Sequence, residues 1–568
     1  MYVYEEEKLM KRKLLSLLLC TAMTASLLLT GCSSSSSSSS DTTTAESSGE
    51  TKTTETASAT TADTGEVVFT VGFTLEPRSF DPMYQGSAMT LSMYDCYDTL
   101  LNFSIDGTEI LPGLAEEWTQ VDDTTYTYKI KQGVKFSDGT DMTMEDVLYS
   151  MERVTEKQYA MSYLFDYVDY WEITGDWEIT VHLTQPDSTW QYVLATECGI
   201  VLSKNAVEAA GETYGTIDGP VVGTGPYVRD SWISGTELTF SKNPYWWGDP
   251  ETLDVDKIQF LVFSDPATLA LAVHAGQVDY ARALPEDQMS VYENIDGYSI
   301  VTYQGTSAQF LAFNTQKAPF DDANARKAVA YCIDKNAITQ LVGGRFATVS
   351  KAVVFPDSMF YQDTESWNAF NDSAESYQQD YAKAAEALAA SKYADGFEFE
   401  YWYAPTGKNQ AEMIQAMIQA SGLPITMNLH EYPSSESSSI AYGYASSLDE
   451  NGLRPYQLYA AGWLSDYLDP IGYLKNHFHS TQNFEGGANK AAWVNTDFDA
   501  LIDKTYEVTD EKEKTKLYIE AYEKVIEDCP YVPLFQTIDR YIISDEFEYE
   551  EGPAFYWNYS VANVHLKK

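Results

Sequence analysis

The sequence predicts a mixed α/β protein with more than one domain, and three observations carry that reading. The chain has 568 residues, more than one hydrophobic core accommodates and enough for two or three domains. A strand pattern over 397–403, a helical pattern over 410–420 and a second strand pattern over 425–431 give strand–helix–strand spacing, which implies a parallel, right-handed unit. Clean alternation over 124–130 is followed by a capped helix and another strand over 178–183, the pattern of a small α+β module.

The elements follow in chain order. Lys8, Lys11, Arg12 and Lys13 precede an apolar run over 14–30, which reads as a secretory signal. The acidic residues before Met10 are odd for such a signal, so Met10 is an alternative start. A serine run over 33–40 opens a Ser/Thr-rich stretch reaching about residue 64, the composition of an unfolded tether. A strand is expected over 66–73, with Val67, Phe69 and Val71 on one side. A short helix follows over 92–101, then a hairpin turn at Ile105-Asp106-Gly107-Thr108. Tyr126, Tyr128 and Ile130 alternate with Thr127 and Lys129, and Val134-Lys135-Phe136 is expected to continue that sheet. Thr143-Met144-Glu145-Asp146 fits a loose capping box, and the helix behind it turns Val147, Leu148, Met151 and Val154 to one face.

Gly223-Thr224-Gly225-Pro226-Tyr227 reads as the start of a new strand, hairpinned with 237–241. Pro226 follows the Gly-x-Gly and no helix opens there, so it is not a phosphate loop. A strand over 258–262 and a helix over 266–275 come next. A strand over 310–315 leads to one helix with Val329, Cys332 and Ile333 inward and Gly343 near its end. A long helix over 509–528 turns Leu517, Ala521 and Val525 inward; Pro530 stops it, and a strand follows over 531–537.

Composition excludes several function classes. Eighty-five acidic residues against 36 basic ones give a formal net charge of −49, which argues against nucleic acid, since that needs basic surface. An aromatic share of 14%, with 42 Tyr and 12 Trp, suits an aromatic-lined ligand space. Cys96, Cys198, Cys332 and Cys529 form no CxxC pair, so a thiolate metal site is not expected; one or two disulfides and isolated core thiols are the alternatives. His477-Phe478-His479 is the one close histidine pair, read as surface residues holding no metal. No Gly-x-Ser-x-Gly, His-Glu-x-x-His or P-loop occurs, which argues against an enzyme, and no cofactor is implied.

The most informative stretch runs from Leu458 to Pro470. It opens as a short apolar strand and enters a tight turn, and Asp469-Pro470 reads as the N-cap and first position of a helix through Ile471, Leu474 and Lys475. With capping assigned to Asp469, Asp466 has no evident structural duty. It stands between Trp463 and Tyr467, and no Lys or Arg occurs between Arg454 and Lys475. A carboxylate among aromatics is costly unless a cation meets it. The cation is therefore expected from a ligand.

Four ordered stretches carry a family resemblance. They are Leu114-Ala115-Glu116-Glu117-Trp118 with Tyr126 through Thr140 and Glu145-Asp146-Val147; Gly223 to Tyr227 with Asn243-Pro244-Tyr245-Trp246; Phe313-Asn314-Thr315, Pro319 to Asp322, Arg326-Lys327-Ala328 and Ile333-Asp334-Lys335; and Gly462-Trp463 through Asp466-Tyr467 to Asp469-Pro470. Together they resemble family 5 solute-binding proteins, the oligopeptide- and dipeptide-binding components of ABC importers. The resemblance implies a two-lobed periplasmic-binding-protein-like fold with a hinge and an extra α+β domain inserted in the first lobe. On that basis the first lobe is placed at 66–98, 221–317 and 535–568, the inserted domain at 99–220 and the second lobe at 318–534. Leu29-Thr30-Gly31-Cys32 similarly resembles a bacterial lipobox. That implies a signal peptide over 1–31, a diacylglyceryl thioether on Cys32 and a tether over 32–65, hence an extracytoplasmic protein anchored at the membrane.

In peptide-binding relatives an aspartate of the fourth stretch holds the peptide α-ammonium, and Asp466 matches it. The resemblance further implies that backbone groups of Gly462 and Leu464 pair with an extended peptide and that Gln85 and Ser87 face it from the other lobe; for Trp463 and Tyr467, ligand contact and ordinary core packing are the alternatives. An oligopeptide or dipeptide ligand, ABC permease subunits as partners and a monomeric state are the corresponding expectations. Ala460 stands where oligopeptide binders can carry Arg, which leaves the carboxylate anchor open among Arg78, Arg282, Arg454 and Lys351. The same fold could serve an oligosaccharide, a nickel chelate, haem or a peptide signal; a neutral sugar would supply no cation to Asp466.

Overall fold

The computed structural model describes residues 65–77, 79–82, 95–156, 161–282, 284–484, 486–549 and 559–568. The expected signal, tether and Cys32 lie outside these residues, as do Arg78, Gln85, Ser87 and most of the expected helix over 92–101. Residues 65–568 form one unit.

The strands that matter here are β1 Val68–Phe73, β2 Ala115–Asp122, β3 Thr125–Ile130, β4 Val168–Gly175 and β5 Glu178–Leu183. Then come β6 Tyr227–Ile233, β7 Glu237–Lys242, β8 Lys257–Val262, β9 Tyr280–Arg282 and β10 Tyr298–Phe313. The last are β11 Ala347–Val349, β12 Phe397–Tyr403, β13 Ile425–Glu431, β14 Leu458–Leu464 and β15 Tyr531–Ser544. Strands β2 to β5 make a separate antiparallel sheet in the order β2-β3-β5-β4. The other eleven make one sheet, β13-β12-β14-β10-β15-β9-β1-β8-β7-β6, with β11 on β15.

Two long strands, β10 and β15, tie the halves of this sheet together. Their antiparallel ladder shifts register between Gln304 and Ala308. At Gly305, inside that shift, a Cβ would stand 2.1 Å from the Asp539 carboxylate. A side chain at 305 would displace that carboxylate. Beyond the shift, β10 pairs with β14 on one side, and the far end of β15 pairs with β9. The apolar clusters follow the same division. Phe69, Phe240, Phe260 and Tyr541 fill one half; Leu311, Phe399, Ile414 and Val532 fill the other. This is a two-lobed α/β fold with an added antiparallel module. The module joins the second half through a further cluster holding Tyr128, Trp190, Tyr467, Tyr473 and Phe478.

Several local readings match. Helix α1, Met144–Thr155, carries the capping box: the Thr143 hydroxyl oxygen accepts from Asp146 N–H at 3.3 Å and Thr143 N–H donates to the Asp146 carboxylate at 2.9 Å. Its Val147, Met151 and Val154 are fully buried, while Leu148 is half-buried. Helix α2, Lys408–Ala420, connects β12 to β13, which pair in parallel from Phe397/Ile425 to Tyr403/Glu431.

Other readings are corrected. Val134-Lys135-Phe136 forms no strand; Lys135 makes a single bridge to Asp141. The strand after Gly223-Thr224-Gly225 starts only at Tyr227. The two glycines instead lie against the Cys96 backbone, where added Cβ atoms would come within 2.1 and 2.6 Å. The strand expected at 310–315 is β10, sixteen residues long and ending at Phe313. The single helix expected after it is two, Ala323–Ala330 and Lys335–Val342, because Asp334 caps a new start through Asn336 and Ala337 N–H. The strand expected over 531–537 is β15, which runs to Ser544 across the 534/535 boundary. Helix α3 spans Ile471–Phe478, with Pro470 at the cap position. Helix α4 spans Glu511–Asp528 and ends at Cys529 in a left-handed conformation, φ 51°. Cys96, Cys198, Cys332 and Cys529 are all buried free thiols, which resolves the cysteine alternatives in favour of core packing. Reductant is accordingly expected to leave the thermal unfolding midpoint unchanged; a lower midpoint on reduction would reveal a disulfide.

Candidate ligand-binding site

Strand β14 is paired along its whole length on one side only. Against β10 its register runs from Leu458/Phe313 to Leu464/Ser307. Against β12 it pairs only at Leu458/Tyr401 and Tyr459/Trp402. The hydrogen-bonding direction alternates along a strand. Gln457 carbonyl oxygen accepts from Asn314 N–H at 2.9 Å, and Trp463 carbonyl oxygen accepts from the Tyr473 hydroxyl, which also reaches Thr306. Odd-numbered residues therefore face β10. Ala460, Gly462 and Leu464 turn their N–H and C=O groups to the other side; the Tyr459/Trp402 pairing takes up the Ala460 N–H, and Gly462 and Leu464 lie past the end of β12, where no described strand meets them.

This open edge borders a cavity of about 840 Å³. Gly462, Trp463, Leu464 and Asp466 line it, and Tyr442, Tyr444 and Phe484 form an aromatic wall. Gln309, opposite Gly462 in the register, reaches across the glycine into the same space. The volume falls in the range of small-ligand pockets.

Asp466 and Asp469 leave the end of β14 three residues apart and meet different fates. Asp469 is fully buried and fully engaged. Its Oδ1 accepts from Ile471 N–H at 2.9 Å and from the Tyr518 hydroxyl at 2.8 Å; its Oδ2 accepts from Gln362 at 3.2 Å and lies 3.6 Å from the buried Lys514 ammonium. The expected capping role is thus one of four contacts, and helix α3 begins one residue later than expected. Asp466 is 7% exposed and accepts one hydrogen bond, from the Tyr163 hydroxyl of the added module. Among the described residues no Lys, Arg or His pairs with it. Lys475 shares a 30 Å³ crevice with it but donates to the Tyr167 hydroxyl at 2.8 Å instead. Burial pushes the Asp466 pKa up to about 6, against the smaller opposing effect of the Tyr163 bond. Glu197 lies behind it with neither carboxyl oxygen hydrogen-bonded. Burial, and then the Asp466 charge, raise its pKa to about 8, so it is neutral at pH 7.

The other sequence-predicted residues separate. Trp463 packs edge-on against His477, ring centroids 4.8 Å apart, while lining the cavity. Tyr467 is buried and stacks on Tyr192 at 5.4 Å; it borders the crevice beside Asp466 rather than the large cavity. His477 and His479 are not surface residues: they are 0% and 5% exposed. His477 sits among Phe310, Trp463 and Tyr531, and His479 lies 3.2 Å from Asp503. Of the carboxylate-anchor candidates, Arg454 donates to the Asn489 and Gly487 carbonyls, Lys351 pairs with Asp372 at the surface, and Arg282 bonds the Tyr303 hydroxyl. None of these three lines the cavity. Tyr163, Gln309 and Tyr442 have no sequence signal marking them: each reaches the site from a distant element.

Two α/β halves sharing long strands, with a ligand-sized cavity at an open strand edge, are the hallmarks of a solute-binding protein. The comparisons agree. A family model described as bacterial extracellular solute-binding proteins, family 5 Middle, matches residues 109–485, and the chain belongs to that family of substrate-binding, non-enzymatic proteins, which serve ABC importers. It is 25% identical over 525 residues to heme-binding protein A of Haemophilus influenzae, covering 87% of this chain and 91% of that protein. It is 24% identical over 478 residues to the probable D,D-dipeptide-binding periplasmic protein DdpA of Escherichia coli, covering 82% and 88%. Its fold matches the periplasmic binding protein DppA of Helicobacter pylori in complex with the peptide STSA, with a TM-score of 0.73, 22% identity and coverage of 88% and 98%.

Two substitutions three residues apart are expected to act oppositely on stability. Asp469→Ala leaves the buried Lys514 ammonium with Glu511 alone, 3.7 Å away, and takes the acceptor from Tyr518, Gln362 and Ile471 N–H, so it should cost about 3 kcal/mol in urea unfolding. Asp466→Asn removes a carboxylate whose pKa is higher folded than unfolded. The ionised form destabilises the fold increasingly as pH rises from about 4 through 6. The variant should therefore melt higher than wild type at pH 7 and match it at pH 4. A lower melting point at pH 7 would show that Asp466 is held by a cation.

Proposed function

We propose that this solute-binding protein takes peptides with a free amino terminus and presents them to the permease of an ABC importer, held at the membrane by a lipid on Cys32. The single observation that carries the ligand reading is Asp466: a buried carboxylate with one phenolic partner and, among the described residues, no cation, at the end of an open strand edge inside a cavity. A ligand ammonium there completes an ion pair in a low-dielectric site, where such pairs are strong. Gly462 and Leu464 then offer backbone donors and acceptors to an added strand. With its ammonium beyond Leu464, that strand runs back along β14 towards Ala460. The stretch from Ala460 to Leu464 is about 13 Å long at the usual rise, and the end of β12 closes it. Main-chain and terminal contacts suit a receptor that accepts varied side chains; Trp463 and Tyr442 would pack against them. Tyr467 acts behind the site, and Gln85 and Ser87 remain expected from the opposite side.

Calorimetry tests the ammonium contact. Asp466→Ala should weaken peptide binding at least about tenfold, and acetylating the peptide amino group should weaken wild type similarly. Equal binding by all three pairs would remove Asp466 from the account. Because the free carboxyl ionises only above about pH 6, wild-type affinity should fall as pH drops below that value, and Asp466→Ala should lose this dependence. Tyr163 and Glu197 face the same carboxyl, so Tyr163→Phe should lower the affinity less than Asp466→Ala. Native mass spectrometry of protein purified from cells should show a ladder of short peptides; a lone sugar, haem or metal chelate would overturn the peptide reading.

A further inference from the structure

Strand β10 carries two glutamines that meet different surroundings. The Gln304 amide donates to the Gln536 side-chain oxygen at 3.2 Å and to the Thr537 carbonyl oxygen at 3.1 Å. The Gln309 amide has no hydrogen-bond partner among the described residues. It belongs to a half-buried residue that lines the 840 Å³ cavity.

Its position follows from what the neighbouring strand lacks. Gln309 stands directly opposite Gly462 in the register of β10 and β14. Gly462 turns its N–H and C=O away from β10, so the two form a non-hydrogen-bonded pair. That is the closer of the two antiparallel kinds, with both Cβ directions on one face. A Cβ on Gly462 would lie 2.2 Å from Gln309 Nε2 and 2.7 Å from its Oε1. The amide thus occupies the place of the missing side chain. Ser307, on the same face of β10 and opposite Leu464, also lines the cavity.

The other side of Gly462 is the open edge. With a peptide ammonium beyond Leu464 and the chain running back towards Ala460, the added strand is antiparallel to β14. Its first residue then lies opposite Leu464, its second opposite Trp463 and its third opposite Gly462. Directly opposed residues of an antiparallel pair send their side chains to the same face. The third ligand side chain therefore rises on the face that holds the Gln309 amide. Its Cα stands about 5.5 Å from that of Gly462 in a hydrogen-bonded pair, so a short side chain reaches the amide. The second side chain points to the opposite face, beside Trp463.

We propose that Gln309 is a specificity-determining residue that reads the third side chain of the bound peptide, favouring an uncharged hydrogen-bonding one, such as Asn or Ser, over an aliphatic one. The inference rests on the peptide reading above and adds a register and a sequence preference to it. A carboxamide or hydroxyl offers the Gln309 amide both a donor and an acceptor. An aliphatic group there displaces water from the amide and returns no hydrogen bond, and a polar group left unpaired costs more than a made bond gains. Gly462 is then required twice: its backbone pairs with the ligand, and its bare Cα admits the amide.

Calorimetry of the full chain with Ala-Ala-Asn-Ala and Ala-Ala-Leu-Ala tests this, with Ala-Asn-Ala-Ala and Ala-Leu-Ala-Ala as position controls. Wild type should bind the peptide with Asn in third place at least about fivefold tighter than the one with Leu there. No preference for Asn should appear in second place. On Gln309→Met the third-place preference should fall below about twofold. Gly462→Ala, whose methyl group takes the place of the amide, should weaken it too. Melting curves certify the fold of each variant; should Gln309→Met melt far below wild type, the Gly462→Ala series decides. Equal binding of the two third-place peptides by wild type, a preference kept by Gln309→Met, or an Asn preference found in second place would overturn the role of Gln309 and leave the peptide reading standing. Binding of none of the four peptides would sink both.

Discussion

A carboxylate kept from water with a single phenol for company is the constraint on which this site depends. Asp466 could have been neutralised by the machinery three residues further on. There Asp469 draws in Lys514, Tyr518, Gln362 and the first N–H of helix α3. All of that polar capacity is used inside the second lobe, and Lys475 is turned to Tyr167. The two aspartates therefore divide the work. One holds the strand end to the helices behind it, and the other is left poised at a cavity.

The open edge of β14 has an equally local cause. Strand β12 stops at Tyr403, so its ladder with β14 ends at the Tyr459/Trp402 pair and leaves Gly462 and Leu464 without a described strand on that side. An exposed strand edge invites pairing with other chains. Here it lies inside a cavity walled by Tyr442, Tyr444 and Phe484. Relatives named for haem and for D,D-dipeptides belong with the same frame. The frame supplies the edge and the cavity, and the wall residues decide what fits.

Much of the fold was legible because its cues are local. The capping box at Thr143 and Asp146 needs four consecutive residues, and the parallel pairing of β12 and β13 follows from two strand patterns around one helix. The misreadings share a different cause. Residues 298–309 do not alternate cleanly, because β10 is paired on both sides over part of its length and its ladder with β15 shifts register between Gln304 and Ala308. His477 looks like a surface residue beside Lys475, yet helix α3 turns it into a cage of aromatic rings.

The sequence by itself determined the α/β class, the acidic, aromatic-rich character and the position of a carboxylate with no cation nearby along the chain. Those properties are set by spacing and composition. Only the tertiary structure decided that Asp466 meets Tyr163 from 303 residues away and that Asp469 meets Lys514. Whether a buried group has a partner is a sum over all the elements packed around it, and those elements come from parts of the chain whose order says nothing about their distance.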